Sequence, residues 1–136
     1  KLMLKDIEIP KVEDIAVAIV PEFNELGDEM WNVYLVNLKS AKIEGVLVSS
    51  RGYGKVFGSS KRTATFRHFL DVLEGKSFKK IEEIVPEVFG LNNEFWVSFY
   101  LNKKMFDKKY IFLPETISEK HFTTIPILKK RGVLIK

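Results

Sequence analysis

The chain predicts an all-β fold, an antiparallel β-sandwich of immunoglobulin-like type with about seven to eight strands. Three observations lead there. Runs rich in β-branched and aromatic residues recur at spacings of about ten to fifteen residues, separated by Gly, Pro, Asn and Asp. In "NEFWVSFYLN" (93–102) Phe95, Val97, Phe99 and Leu101 alternate with Trp96, Ser98 and Tyr100, the period of two that a strand requires. No long amphipathic helix is needed anywhere. The alternative is an α+β domain in which residues 64–75 form a helix on an antiparallel sheet.

The elements follow in order. Lys1 to Asp14 reads as a lead-in, ended by Pro10. "DIAVAIVPE" (14–22) is a strand, apolar on both faces and closed by Pro21. Residues 23–30 are polar and carry Gly27-Asp28, so they form a turn or loop. "WNVYLVNLKS" (31–40) is a second strand and "IEGVLVSSRG" (43–52) a third. The short link at 41–42 predicts an antiparallel hairpin between these two.

"TATFRHFLDVLEG" (63–75) is ambiguous. Phe66, Phe69, Leu70 and Leu73 fall at helical spacing, yet Phe66, His68, Leu70 and Val72 also alternate. Consistency with the β neighbours favours a strand. Gly75 then suits a hairpin turn into "KSFKKIEEIV" (76–85). Residues 93–114 read as a hairpin whose second strand closes at Pro114. Residues 115–122 have room for one helical turn capped by Ser118, and Lys129-Lys130-Arg131 for a turn before a last strand, Gly132 to Ile135.

At 136 residues the chain is a single domain, 1–136. It has no cysteine, which removes disulfides, thiolate metal sites and cysteine nucleophiles. Its longest apolar runs are far too short for a membrane span, so no membrane partner is expected. Lys1, Lys5, Asp6 and Glu8 speak against a signal peptide, and a cytoplasmic location is the default. Charge is uneven. Residues 1–48 hold five basic and nine acidic side chains, whereas 49–71 hold five basic and one acidic. A basic segment beside an acidic one can steer an anionic partner.

That basic segment contains "SSRGYGKVFGSSKRT" (49–63). It is not a dinucleotide fingerprint, because no helix follows its glycines. It is not a P-loop either, because Gly58 is followed by Ser59-Ser60 rather than Gly-Lys-Ser/Thr's lysine. It reads as a strand from Val46 to Val56, a turn at 57–60 and a returning strand, with Gly52 and Gly54 easing a bulge or twist. Arg51, Tyr53, Lys55, Lys61, Arg62 and Arg67 are the candidate binding residues, cations beside aromatic stacking surface. Trp96 and Tyr100 are candidates for a protein or self-association surface, since the core face of their strand is already filled.

No catalytic or metal residue is assigned and no cofactor is expected. His68 and His121 lie far apart in sequence, and His68 sits amid Phe66, Phe69 and Leu70 as a packed side chain would. Glu82-Glu83 reads as solvated charge.

The stretches "FRHFLDVL", "KSFKKIE", "LNNEFWVSFYLN" and "DKKYIF" resemble a group of short bacterial proteins, some labelled as a phenylalanyl-tRNA synthetase subunit. The chain has no room for an aminoacylation domain, so the resemblance implies no site residue. The expected role is a non-catalytic binding or protein-interaction module. The alternative is nucleic-acid or phosphate-ligand binding through the basic 51–67 hairpin.

Overall fold

The computed structural model describes residues 11–136. The lead-in expected over residues 1–10, with Pro10, lies outside the described residues. Among the described residues ten strands form two antiparallel sheets, an all-β sandwich. They are β1 (Ile15–Phe23), β2 (Glu29–Asn37), β3 (Ile43–Val56), β4 (Ser59–Arg62), β5 (Phe66–Leu73), β6 (Ser77–Ile84), β7 (Asn92–Leu101), β8 (Lys104–Phe112), β9 (Thr123–Thr124) and β10 (Arg131–Ile135). The first sheet has the order β6-β2-β1-β10-β9. The second has the order β4-β3-β7-β8, with β5 also paired to β3. The count exceeds the expected one because β4 and β9 are only four and two residues long. No helix among the described residues is long and apolar enough to cross a membrane.

Residues 66–73 are a strand, not a helix. The reason is β3, a fourteen-residue strand whose partner returns along one edge. Phe57 and Gly58 turn the chain with φ of 50° and 78°, as a two-residue hairpin turn requires. β4 then pairs Tyr53 to Val56. Thr63 bridges the next step: its N–H donates to Gly52 O and its Oγ1 accepts from Gly52 N, both at 2.8 Å. β5 continues along Ile43 to Ser50. The expected hairpin at 49–63 is therefore present, and its return runs on through β5. An irregularity does fall beside Gly52: between the pairs Tyr53–Arg62 and Ser50–Phe66, two residues of β3 face three of the returning chain, while the β7 ladder runs on unbroken. Further register shifts lie around Gly45, whose φ is 57°.

The hairpin expected between β2 and β3 does not form. β2 pairs β1 and β6, while β3 pairs β4, β5 and β7. Residues 38–42 cross between the sheets, and so does the link from β5 to β6. Buried Asn37 explains why both crossovers sit together. Its Nδ2 donates to Ala41 O (2.9 Å), Leu73 O (3.2 Å) and Glu74 O (3.0 Å), and its Oδ1 accepts from Lys39 N (3.0 Å). Lys76 N donates to Lys39 O at 2.8 Å. Gly75 is required here for closeness rather than for a hairpin turn, since a Cβ would stand 2.1 Å from Ser40 O. The positive φ falls on Lys76 (53°).

The core lies between the inward faces: Val17, Ile19, Val33 and Leu35 from one sheet, Val46, Val48, Phe95, Val97 and Phe99 from the other. Tyr110 spans the layers, its buried hydroxyl donating to Ile15 O at 2.6 Å. Burial pushes that phenol well above its usual range. β1 is apolar on both faces because its outward side is covered too. Ala16, Ala18, Val20 and Val36 pack under Ile125, Ile127 and Leu128, a strap that leads into β10. Pro21 does not close β1. It lies past the end of the β10 pairing and has a ladder partner on one side only, where a strand tolerates proline. The last expected turn forms as a short 3-10 segment, Glu119–His121, but the Ser118 hydroxyl makes no capping bond.

The strap is fastened at Glu22. That carboxylate accepts from Asn32 Nδ2 (2.8 Å), from Tyr34 OH (2.5 Å) and from Lys130 Nζ. Burial pushes Glu22 up, but the bonds from Lys130, Tyr34 and Asn32 outweigh it and hold the carboxyl below its ordinary 4.5. Burial and the same carboxylate raise Tyr34 to about 12.

Asn37→Ala leaves carbonyls of both crossovers without a donor, so denaturant unfolding should show a loss of roughly 2–3 kcal/mol. A second expectation concerns acid. A folded-state pKa below 4.5 means that Glu22 contributes stability that is complete above pH 4.5 and lost as pH falls through the folded value. The stability gap between wild type and Glu22→Gln should therefore narrow below pH 4.5, as measured by urea midpoints across a pH series.

Candidate functional site

The outward face of the second sheet brings together most of the residues singled out from the sequence. Residues paired across a ladder share a face, and the face alternates along each strand. By that rule Arg51, Tyr53 and Lys55 on β3, Arg62 on β4, Arg67 on β5, and Trp96 and Tyr100 on β7 all project outward. Lys61 does not. It pairs with Gly54, one step out of phase, and belongs to the opposite side of the hairpin.

One rung crosses four strands in the order Arg67, Ser49, Trp96, Lys109. Trp96 thus stands between two cations, and Lys109 Nζ lies 4.6 Å from its ring centroid. The next rung is Phe69, Leu47, Ser98 and Asp107. Beyond it Tyr100 pairs with Met105. Trp96 and Tyr100 are 45% and 49% exposed and Phe69 is 67% exposed, so the aromatic strip stands in solvent. The face has two halves: cations and Trp96 at one end, and Phe69, Leu47, Tyr100 and Met105 at the other.

Electrostatics divide the cations further. Arg51 is already committed: its Nε lies 3.1 Å from Glu94 Oε2 and its guanidinium stacks 5.0 Å from the Tyr53 ring. Tyr53 OH also reaches Glu94 Oε1 at 3.4 Å. Arg67 has no carboxylate within ion-pair distance among the described residues. Ser49, Arg51, Thr65, Arg67, Glu94 and Trp96 frame a hollow of about 250 Å³. It is shallow, with an aromatic wall and an uncommitted guanidinium.

A second constellation escaped the sequence reading. β5 and β6 are edges of different sheets and lie side by side without a ladder, and side chains close this seam. Lys79 Nζ donates to Leu70 O (2.9 Å) and Val72 O (3.1 Å). Farther along, Glu82 Oε1 accepts from Ser50 Oγ (2.6 Å) and His68 Nε2 (2.6 Å). Glu82 is therefore not solvated charge. A bulge at Val33/Tyr34, opposite β6, shifts the register and turns Ile81 and Glu82 both inward. His68 is partly buried as expected, but it has a partner. Beyond this bolt the seam widens into a cleft between the sheets. The inward alternation of Phe66, His68 and Leu70 was the available signal for His68; nothing local marked Glu82.

Compared with known proteins, the chain matches no family model, no curated protein and no solved structure. The geometry of these two places is what bears on function.

Trp96→Ala should cost about 1–2 kcal/mol of unfolding free energy, because nearly half of the indole already stands in solvent. Its neighbour Phe95→Ala should cost about 3–5 kcal/mol by emptying the core. Equal costs in chemical denaturation would show that Trp96 is not a surface residue.

Proposed function

We propose that this immunoglobulin-like sandwich is a cytoplasmic binding module without catalytic chemistry of its own, taking a protein partner on the outward face of the second sheet. One contrast carries the reading. The first sheet covers the middle of its outward apolar face with the chain's own strap and leaves Phe78 exposed at its β6 edge, whereas Trp96, Tyr100, Phe69 and Leu47 on the second remain exposed in one strip. Exposed apolar strips rimmed by charge mark interaction surfaces. The partner that fits carries an apolar segment for the Tyr100 end and acidic groups for Lys55, Arg62 and Arg67.

A specific observation favours a second reading, single-stranded nucleic acid. The rung that sets Trp96 between Arg67 and Lys109 offers a stacking surface flanked by cations, the elements such binding uses.

A photo-crosslinking residue in place of Ser98, at the centre of the face, tests the first reading. It should capture a discrete protein partner whose yield collapses when Trp96→Ala and Tyr100→Ala are added, while the variant stays folded. Cross-linking that ignores both substitutions removes the proposal. A wild type that stays monomeric in light scattering at high concentration removes only self-association. The nucleic-acid reading expects oligonucleotide affinity that falls steeply between about 50 and 200 mM salt, with a shallower slope in the Arg51→Ala/Lys55→Ala variant. Salt-independent binding, or none, eliminates it.

A further inference from the structure

We infer that the cleft at the β5–β6 seam is a binding site for a small organic amine, whose ammonium lies on Glu82 and whose apolar body lies between the sheets. The inference stands apart from the outward face and rests on the inward side of the same strands.

The shape sets the size. The cleft holds about 160 Å³ and is walled by Phe66, Ile84, Val85, Val88 and Phe95. A cavity of about 150 Å³ accommodates a benzene-sized body. Apolar walls with a few convergent polar groups are the usual make-up of a small-molecule site.

The hydrogen-bond inventory sets the chemistry. The polar groups that line the cleft are Ser50, Arg51, Thr63, Glu82, Glu83 and Asn93. The Ser50 hydroxyl proton is committed to Glu82. Both bonds from Asn93 Nδ2 go to backbone carbonyls, Val88 O (2.9 Å) and Leu91 O (3.1 Å). Thr63 Oγ1 donates to Ala64 O and accepts from Gly52 N. Arg51 is held by Glu94 on the outward face. The side-chain donors of Ser50, Thr63 and Asn93 thus all have partners inside the protein, and the Arg51 guanidinium is drawn to Glu94. What remains are acceptors: Glu82 Oε2, the Glu83 carboxylate at the rim and Asn93 Oδ1, which no donor reaches among the described residues. A ligand that satisfies this site must bring the protons. An anion would meet two carboxylates, with the one cation of the lining, Arg51, paired to Glu94.

The bolt through Oε1 has a purpose in this reading. Ser50 and His68 both hold the same oxygen, which fixes the carboxylate and leaves Oε2 for the ligand. A charge-assisted bond from an ammonium to that oxygen is of the stronger kind, and the aromatic rings of Phe66 and Phe95 suit a cation at the wall.

Benzylamine is the probe, with benzyl alcohol and benzoate as neutral and anionic counterparts of the same shape. Amide shifts in two-dimensional NMR are followed on the full chain. Benzylamine should give saturable shifts at Ser50, Gly52, Glu82, Ile84 and Val88, and the two counterparts should not. Glu82→Gln should weaken the amine at least tenfold while the spectrum stays dispersed. If that variant fails to fold, Val85→Trp on the exposed rim takes its place and must block the same shifts. The proposal falls if no saturable shifts appear, if benzyl alcohol binds as well as benzylamine, or if the amine still binds after the substitution in the folded variant.

Discussion

Everything in this sandwich hangs on one corner. Buried Asn37 holds the chain at two of the four links that pass from one sheet to the other, after β2 and after β5. Those crossovers decide which strands share a sheet, and therefore which faces meet in the core. A side-chain amide is suited to the task, because it can supply two donors and an acceptor to backbone groups that no ladder serves. Gly75 completes the corner by letting its backbone close against Ser40.

The fold was largely legible where a strand's own alternation decided the matter. β7 is the clearest case: Phe95, Val97 and Phe99 are buried and Trp96 and Tyr100 are not, as their period dictates. The 49–63 hairpin was readable for the same reason, and its return through Thr63 resolves the helical stripe of Phe66, Phe69, Leu70 and Leu73 into a strand. What misled was proximity. A two-residue gap after "WNVYLVNLKS" has the length of a hairpin turn, but nothing local records that Asn37 will pin it as a crossover. Register was equally hidden. Whether Glu82 faces water or Ser50 depends on a bulge in its pairing with β2, a contact between segments some fifty residues apart.

The two outward faces answer the same physical demand in different ways. Strands with apolar residues on both sides need cover on both sides. The first sheet obtains it from Ile125, Ile127 and Leu128, fastened by Lys130 to Glu22. The second sheet keeps Trp96 beside Lys109 and leaves Tyr100 and Phe69 in solvent. Six of the candidate residues scattered between positions 51 and 100 converge on that face with Arg67, and only Lys61 departs. A basic hairpin and an aromatic strand, separate ideas in the sequence, are one surface in the folded chain.

The seam between β5 and β6 also has a dynamic meaning. Within each sheet the strands are joined by ladders whose bonds break only together. Here the link consists of Lys79 reaching two carbonyls and of Glu82 held by Ser50 and His68. Each such bond contributes about 1 kcal/mol net, against about 5–15 kcal/mol for unfolding a whole domain. Opening this seam at the end away from the Asn37 corner breaks these few side-chain bonds and no ladder, a sub-global excursion with the corner as its pivot. The cleft lies at that far end, between Phe66 and Ile84, where such an opening would be widest.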